Sequence, residues 1–177
     1  MKLRCLSAGL CFAVLAPLSA AHAQVSNASG TLDVKLVVEE ACEVSWPGST
    51  IGAGSAELDF GTTTRIDSAI DTDIGTGGSG GVEVRCNAGT TYSVTFDAGE
   101  NASGATANRA MRGAANTTQL VPYQIYSDAA RTTVLTTLTL TATGSYESIP
   151  VYGRVPVLDP APPADEYTDA VTVTISL

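Results

Sequence analysis

The sequence predicts an all-β sandwich. Three observations lead there. Apolar and polar residues alternate at the strand period of two in a succession of short runs. No window of ten or more residues shows a convincing 3.6-residue apolar period. Gly-, Asn- and Pro-rich connections divide the runs, which is the punctuation of a many-stranded, helix-poor domain.

The runs follow in order. TLDVKLVVEE (31–40) sets Leu32, Val34, Leu36 and Val38 on one face, with Asp33, Lys35 and Glu39 mostly on the other. ACEVSW (41–46) comes next, and Trp46 is expected to pack over the sandwich edge. AELDFG (56–61) is a short run. GVEVRCN (81–87) aligns Val82, Val84 and Cys86, and TYSVTFDAG (91–99) aligns Tyr92, Val94 and Phe96. VPYQIYSD (121–128) carries Tyr123, Ile125 and a following Tyr126. VLTTLTLTA (134–142), SIPVYGRVPV (148–157) and DAVTVTISL (169–177) complete the set. Between them, DTDIGTGGSGG (71–81) reads as a flexible loop, GENASGATANRAMRGAAN (99–116) as a long polar stretch, partly loop, and LDPAPPADE (158–166) as a proline-rich crossing. SDAARTTVL (127–135) supports a turn of helix at most. Short strands at this spacing match an immunoglobulin-like sandwich, in which Tyr167, just before the last run, is placed to hydrogen-bond back across a corner.

The first 23 residues stand apart. Lys2 and Arg4 precede an apolar stretch from about Leu6 to Leu18, and Ala21-His22-Ala23 provides small residues at −3 and −1 of a signal-peptidase site. Cleavage after Ala23 leaves 154 of the 177 residues, the size of one domain with its own core. The expected organisation is a signal peptide (1–23), an N-terminal arm (24–40) and one β-domain (41–177). Export is implied. No later run reaches the ~18 apolar residues of a membrane span.

Cleavage also changes the chemistry available. Nine basic residues fall to seven against eighteen acids, moving the net charge from −9 to −11. Lys35 is then the only lysine, which argues against nucleic acid or an anionic membrane as partner. His22, the only histidine, is lost. Ser–His and Cys–His nucleophiles and histidine metal sites are lost with it. Ser–Lys chemistry would have to use Lys35, which sits among valines on a strand pattern. Cys42 and Cys86 remain, and two cysteines in an oxidising compartment make one disulfide, worth roughly 3–4 kcal/mol by loop entropy. They cannot form a tetrathiolate metal site.

The acidic pairs Asp71/Asp73 and Asp165/Glu166 lie in Gly- or Pro-rich loops, where acids are ordinarily solvated. DTDIG opens like a calcium loop but lacks the later ligands and closing glutamate. GTGGSGG lacks the Lys-Ser/Thr and the helix of a phosphate loop. The N-x-S/T triplets at Asn27, Asn101 and Asn116 are common by chance in so Ser/Thr-rich a chain. No catalytic group, cofactor site or metal site is expected.

Several segments together resemble one family: GTLDVKL, the Cys42/Cys86 pair with the second in VEVRCN, LDFG (58–61), YSVTFDAGEN, YQIYSDAART, IPVYGRV and the closing EYTDAVTVTISL. Their order is similar to that of the spore coat protein U domain, the subunit fold of archaic (Csu-type) chaperone–usher pili. EEACEVSWPG and the 71–81 loop depart from it, which implies surface differences between subunits. The resemblance implies an incomplete immunoglobulin-like β-sandwich that lacks its last strand and is completed by donor-strand complementation. Leu32, Val34, Leu36 and Val38 would be the donor residues. Val171, Val173, Ile175 and Leu177 would border the acceptor groove and chaperone-binding edge. The implied partners are a periplasmic pilus chaperone, an outer-membrane usher and neighbouring pilin subunits, with periplasmic transit to a cell-surface pilus used for adhesion and biofilm formation. By pattern alone the arm reads better as the first strand of a complete sandwich that fills its own groove, as in a self-complemented coat protein or a secreted carbohydrate-binding module; the family resemblance reverses that preference.

Overall fold

The structure is a computed structural model and describes residues 29–46, 54–76 and 81–177. The expected leader, the Asn27 triplet and the centre of the 71–81 loop lie outside those residues. The chain divides after Val37 into two units. In the first, residues 29–37 form no regular secondary structure and all are exposed.

The second unit is all-β. In chain order its strands are β1 (Cys42–Ser45), β2 (Ile70–Ile74), β3 (Val82–Cys86), β4 (Thr91–Phe96), β5 (Ala110–Gly113), β6 (Leu120–Pro122), β7 (Gln124–Tyr126), β8 (Thr137–Thr141), β9 (Glu147–Ile149), β10 (Val151–Val155), β11 (Tyr167–Thr168) and β12 (Val173–Ser176). A 3-10 turn covers Thr106–Asn108. All pairings among these strands are antiparallel. They form four three-stranded sheets, ordered β1-β3-β9, β2-β10-β7, β11-β5-β6 and β12-β4-β8.

Alternation decides which side chains go inward. β3 buries Val82, Val84 and Cys86, β4 buries Tyr92, Val94 and Phe96, and β10 buries Val151 and Val155. These join Tyr123, Ile125, Leu135 and Ile149 in one apolar cluster. A one-residue slip in any of these strands would exchange its apolar set for its polar one, so burial fixes the register. Cys42 lies directly opposite Cys86 in the β1–β3 ladder, and the two are joined by a disulfide. Trp46, one residue past β1, is half-buried against the cluster.

Two expectations differ from the structure. Residues 70–74 are a strand, where a flexible loop was expected over 71–81. Asp71 sits directly opposite Arg154 of β10 and accepts two hydrogen bonds from its guanidinium, both at 2.7 Å. The cross-strand arginine draws this carboxyl below its usual range, with the Arg131 charge adding to the effect against some burial. A strand face that reads as loop-like acid is therefore a neutralised sheet face. AELDFG, by contrast, forms no strand. Its Leu58 and Phe60 lie over Gly153, where an added Cβ would strike both side chains. The glycine lets an irregular segment approach β10 closely enough to pack. The polar 99–116 stretch is partly strand: β5, with Ala110 and Gly113 buried and Arg112 exposed, pairs with β6 and β11.

Candidate functional site

The apolar run that closes the sequence forms an edge strand. β12 pairs with β4, Val173 opposite Phe96 and Ile175 opposite Val94, and with no other strand among the described residues. Its side chains alternate half-buried and exposed, so Val173 and Ile175 turn toward the core and Thr174 and Ser176 away from it. Val171 is also half-buried against the core, while Leu177 is 64% exposed. On the far side of the same sheet, Leu138 and Leu140 of β8 are only half-buried.

The backbone of β12 has a definite open side. The amide of Asp97 donates to the carbonyl of Thr172 at 3.0 Å. Bonding residues alternate along an antiparallel strand. Thr172, Thr174 and Ser176 therefore turn their peptide groups to β4, while Val173 and Ile175 turn theirs to the unpaired edge. The residues offering apolar side chains inward are thus also those offering N–H and C=O groups outward. That combination is what an added strand requires: a ladder for register and pockets for alternate side chains. No residue of β4, β8 or β12 is charged, so the edge is neutral within a chain of net charge −9.

The corner leading into β12 is polar and tightly bonded. Asp97 Oδ1 accepts hydrogen bonds from the amides of Gly99 and Thr172, both at 2.9 Å. Asp169 Oδ1 accepts from the amides of Glu100 (3.0 Å) and Asn101 (3.2 Å) and from Asn101 Nδ2 (2.9 Å). Asp169 Oδ2 accepts from the Tyr123 hydroxyl at 2.7 Å. Behind them lies Arg109, only 1% exposed. Its guanidinium donates to the carbonyls of Phe96, Asp97, Thr106 and Leu135 and to Gln124 Oε1. Burial pushes the Tyr123 phenol far above its usual value, and the hydrogen bond to Asp169 adds to this. Burial also pulls the Arg109 pKa down, against the nearby charges of Asp97 and Asp169. For Asp97, burial works upward but the amides of Gly99 and Thr172 outweigh it, leaving the carboxyl below its usual range. Sequence reading gave this group no role. A lone arginine in NRAM carries no local mark of burial, and its partners lie up to 26 residues away.

The residues expected to donate a strand are all uncovered. Leu32, Val34 and Leu36 are 88%, 87% and 84% exposed, and Val38 is 70% exposed. Water-exposed apolar rows of this kind mark interaction segments. The other candidate groups have structural employment. Asp165 caps the amides of Ala115 and Asn116. Tyr167 donates to the carbonyl of Pro163 at 2.8 Å, the backward bond expected of it. Among the described residues no group of three His, Cys, Asp or Glu side chains is arranged to hold a metal, and no helix is long and apolar enough to cross a membrane.

Comparison with known proteins bears on this geometry. The Spore Coat Protein U domain family model matches residues 28–174. No curated protein matches the chain. Among solved structures, a chain of the CsuC–CsuE chaperone–tip adhesion subunit pre-assembly complex, from archaic chaperone–usher Csu pili of Acinetobacter baumannii, is similar at 17% identity with a TM-score of 0.50. The match covers 79% of this chain and 40% of that one, so this chain spans less than half of that chain's length. At such identity the likeness speaks for the fold.

Proposed function

The chain belongs to the Spore Coat Protein U domain family, one of structural, non-enzymatic subunits, and on that premise we propose that it is a pilin of a secreted chaperone–usher surface pilus. In this reading it polymerises by donor-strand exchange. A periplasmic chaperone first covers the open edge of β12. At the outer-membrane usher the arm of the next subunit, through Leu32, Val34, Leu36 and Val38, replaces it beside Val171, Val173, Ile175 and Leu177. The resulting fibre lies at the cell surface and serves attachment and biofilm formation.

One observation carries this reading. The same chain holds an unpaired apolar strand edge and a separate apolar-alternating segment whose side chains lie in water. An edge left in that state is an aggregation hazard, and strand addition removes it. Burying the four arm residues at ~1.5–3 kcal/mol each supplies about 6–12 kcal/mol before the cost of ordering the segment. A carbohydrate-binding module would need an exposed aromatic platform, whereas Tyr92 and Tyr123 are buried, Tyr126, Tyr152 and Tyr167 half-buried, and only Tyr146 among the described tyrosines is exposed.

The test is expression with and without residues 24–40, beside a cognate chaperone. Heat-stable, SDS-resistant ladders from the intact chain, with only one-to-one chaperone complexes from the truncated one, are expected. Well-folded monomers from both would overturn the proposal.

A further inference from the structure

β12 presents a physical difficulty. It is four residues long, pairs on one side only among the described residues and buries each inward side chain only in part. Edge strands with so little apolar hold ordinarily fray. A frayed strand would be a poor template, because the incoming segment would have to order it at the moment of capture, and that ordering subtracts from affinity.

The corner before β12 supplies a different kind of hold. Two carboxylates bind reciprocally across it. Asp97, at the end of β4, takes the Thr172 amide, and Asp169, ahead of β12, takes the Glu100 and Asn101 amides. Asn101 Nδ2 closes the pair by donating to the Thr168 carbonyl at 3.3 Å. Asp169 is half-buried and Asp97 is exposed, yet each residue is tied to the core. Asp169 reaches it through the Tyr123 hydroxyl, and the Asp97 backbone through Arg109, whose Nη2 lies 2.6 Å from the Asp97 carbonyl. Gly99 completes the fit. Its φ of +83° suits glycine, and a Cβ there would collide with the Asp169 carboxylate.

We propose that Asp97, Asp169, Tyr123 and Arg109 are positioning residues for strand capture, a polar clamp that holds Val171–Leu177 in place and register while its outer edge is empty. This rests on the strand-exchange reading above. The clamp lies at the beginning of the strand and uses none of its inward side chains, so the apolar surface stays free for the incoming segment. Chelated backbone amides fix position more sharply than a partly buried valine does, because hydrogen bonds are directional and apolar contact is not.

The test uses the full chain carrying Val34→Asp and Leu36→Asp, which disables its own arm as a competitor, mixed with a fluorescent peptide of residues 29–40. Tyr123→Phe keeps the buried ring and removes only the hydroxyl. Asp97→Ala removes the acceptor for Thr172, and Asp97→Asn retains one. Tyr123→Phe and Asp97→Ala are expected to raise amide exchange over 171–177 about tenfold, leave β3 and β10 protected, and slow peptide capture about tenfold. Asp97→Asn is expected to restore most of both. Equal capture by all variants with unchanged exchange over 171–177 would overturn the clamp alone, as would a loss of protection spread evenly over the core. Failure of the starting chain to take up the peptide at all would remove the strand-exchange reading and the clamp's purpose with it.

Discussion

Breaking the Cys42–Cys86 bond should cost this domain a large share of its stability, and the size of the loss follows from the topology. The bond joins residues 44 apart. A loop of that length gives about 4 kcal/mol at 25 °C by chain entropy, against total stabilities of about 5–15 kcal/mol. Little else secures β1. It has four residues, all half-buried, and one partner strand. The Glu43–Arg85 pair beside it is at the surface, with side chains 40% and 45% exposed, where such pairs contribute at most about 1 kcal/mol. Trp46, the only tryptophan, packs just beyond β1 and reports its docking. Cys42→Ala with Cys86→Ala is therefore expected to lower the thermal midpoint by about 8–16 °C, at ~2–4 °C per kcal/mol for a domain of this size. The tryptophan fluorescence transition should precede the loss of far-ultraviolet circular dichroism. Reducing the parent chain gives the same readout without deleting a core atom. A shift under ~2 °C in both experiments would refute the entropic argument, and coincident transitions would refute the dependence of β1 on the bond.

Other predictions follow from single groups. Val34→Asp with Leu36→Asp forfeits about 3–6 kcal/mol of gross burial and adds two charges to an apolar groove; SDS-resistant ladders should vanish, and their persistence would reject the pocket-filling assignment. The Tyr123 phenol has a folded pKa far above its ordinary 10.0, so its contribution is complete below pH 10 and is lost as pH rises toward the folded value. Unfolding free energy should therefore fall by up to about 1.4 kcal/mol per pH unit above pH 10, and Tyr123→Phe should remove one proton from that slope, measurable by urea titration. Asp97 has a folded pKa below its ordinary 3.8, so its contribution is present above that value and lost as pH falls through the folded pKa; the acid limb of stability should be shallower in Asp97→Ala. Gly99→Ala should cost at least about 1–3 kcal/mol from its positive φ alone, and amide exchange should localise the damage to residues 97–101 and 168–172.

What the sequence disclosed depended on the range of the forces involved. β3, β4 and β10 were legible because their alternation is dictated by burial on one face, and each residue carries that information by itself. The Cys42–Cys86 pairing was legible by elimination, once the expected leader had set Cys5 and Cys11 aside. β2 was not legible, because Asp71 and Asp73 look like loop residues until Arg154 stands opposite the first of them. AELDFG misled in the other direction. It has strand-like alternation, yet Leu58 and Phe60 are anchored over Gly153 without a ladder. The Arg109 corner lay beyond pattern reading, since its hydrogen bonds join segments that only the finished fold brings together. The apolar rows at 31–38 and 171–177 were both visible, but alternation cannot say with what a strand pairs.

The disulfide and the clamp address one physical problem at two places. β1 and β12 are both edge strands, each with a single partner among the described residues. An edge strand is usually secured by burying its apolar side, but a strand-accepting edge must keep apolar surface in reserve for the segment that arrives. The remaining means are covalent or polar. β1 is fixed by a bond at its first residue, which directly follows the arm and Ala41. β12 is fixed by carboxylates that chelate amides ahead of its first residue and lean on a buried tyrosine and arginine. Neither device consumes the inward faces of Val173 and Ile175. On the strand-exchange reading, adding hydrophobic hold to β12, by enlarging its inward side chains until they cover the groove, should therefore stabilise the lone subunit while it weakens assembly. Ile175→Phe is the sharpest form of this expectation. A higher melting point of the isolated chain together with fewer SDS-resistant ladders would bear it out. Gains in both would show that the edge is not a groove kept open for a guest.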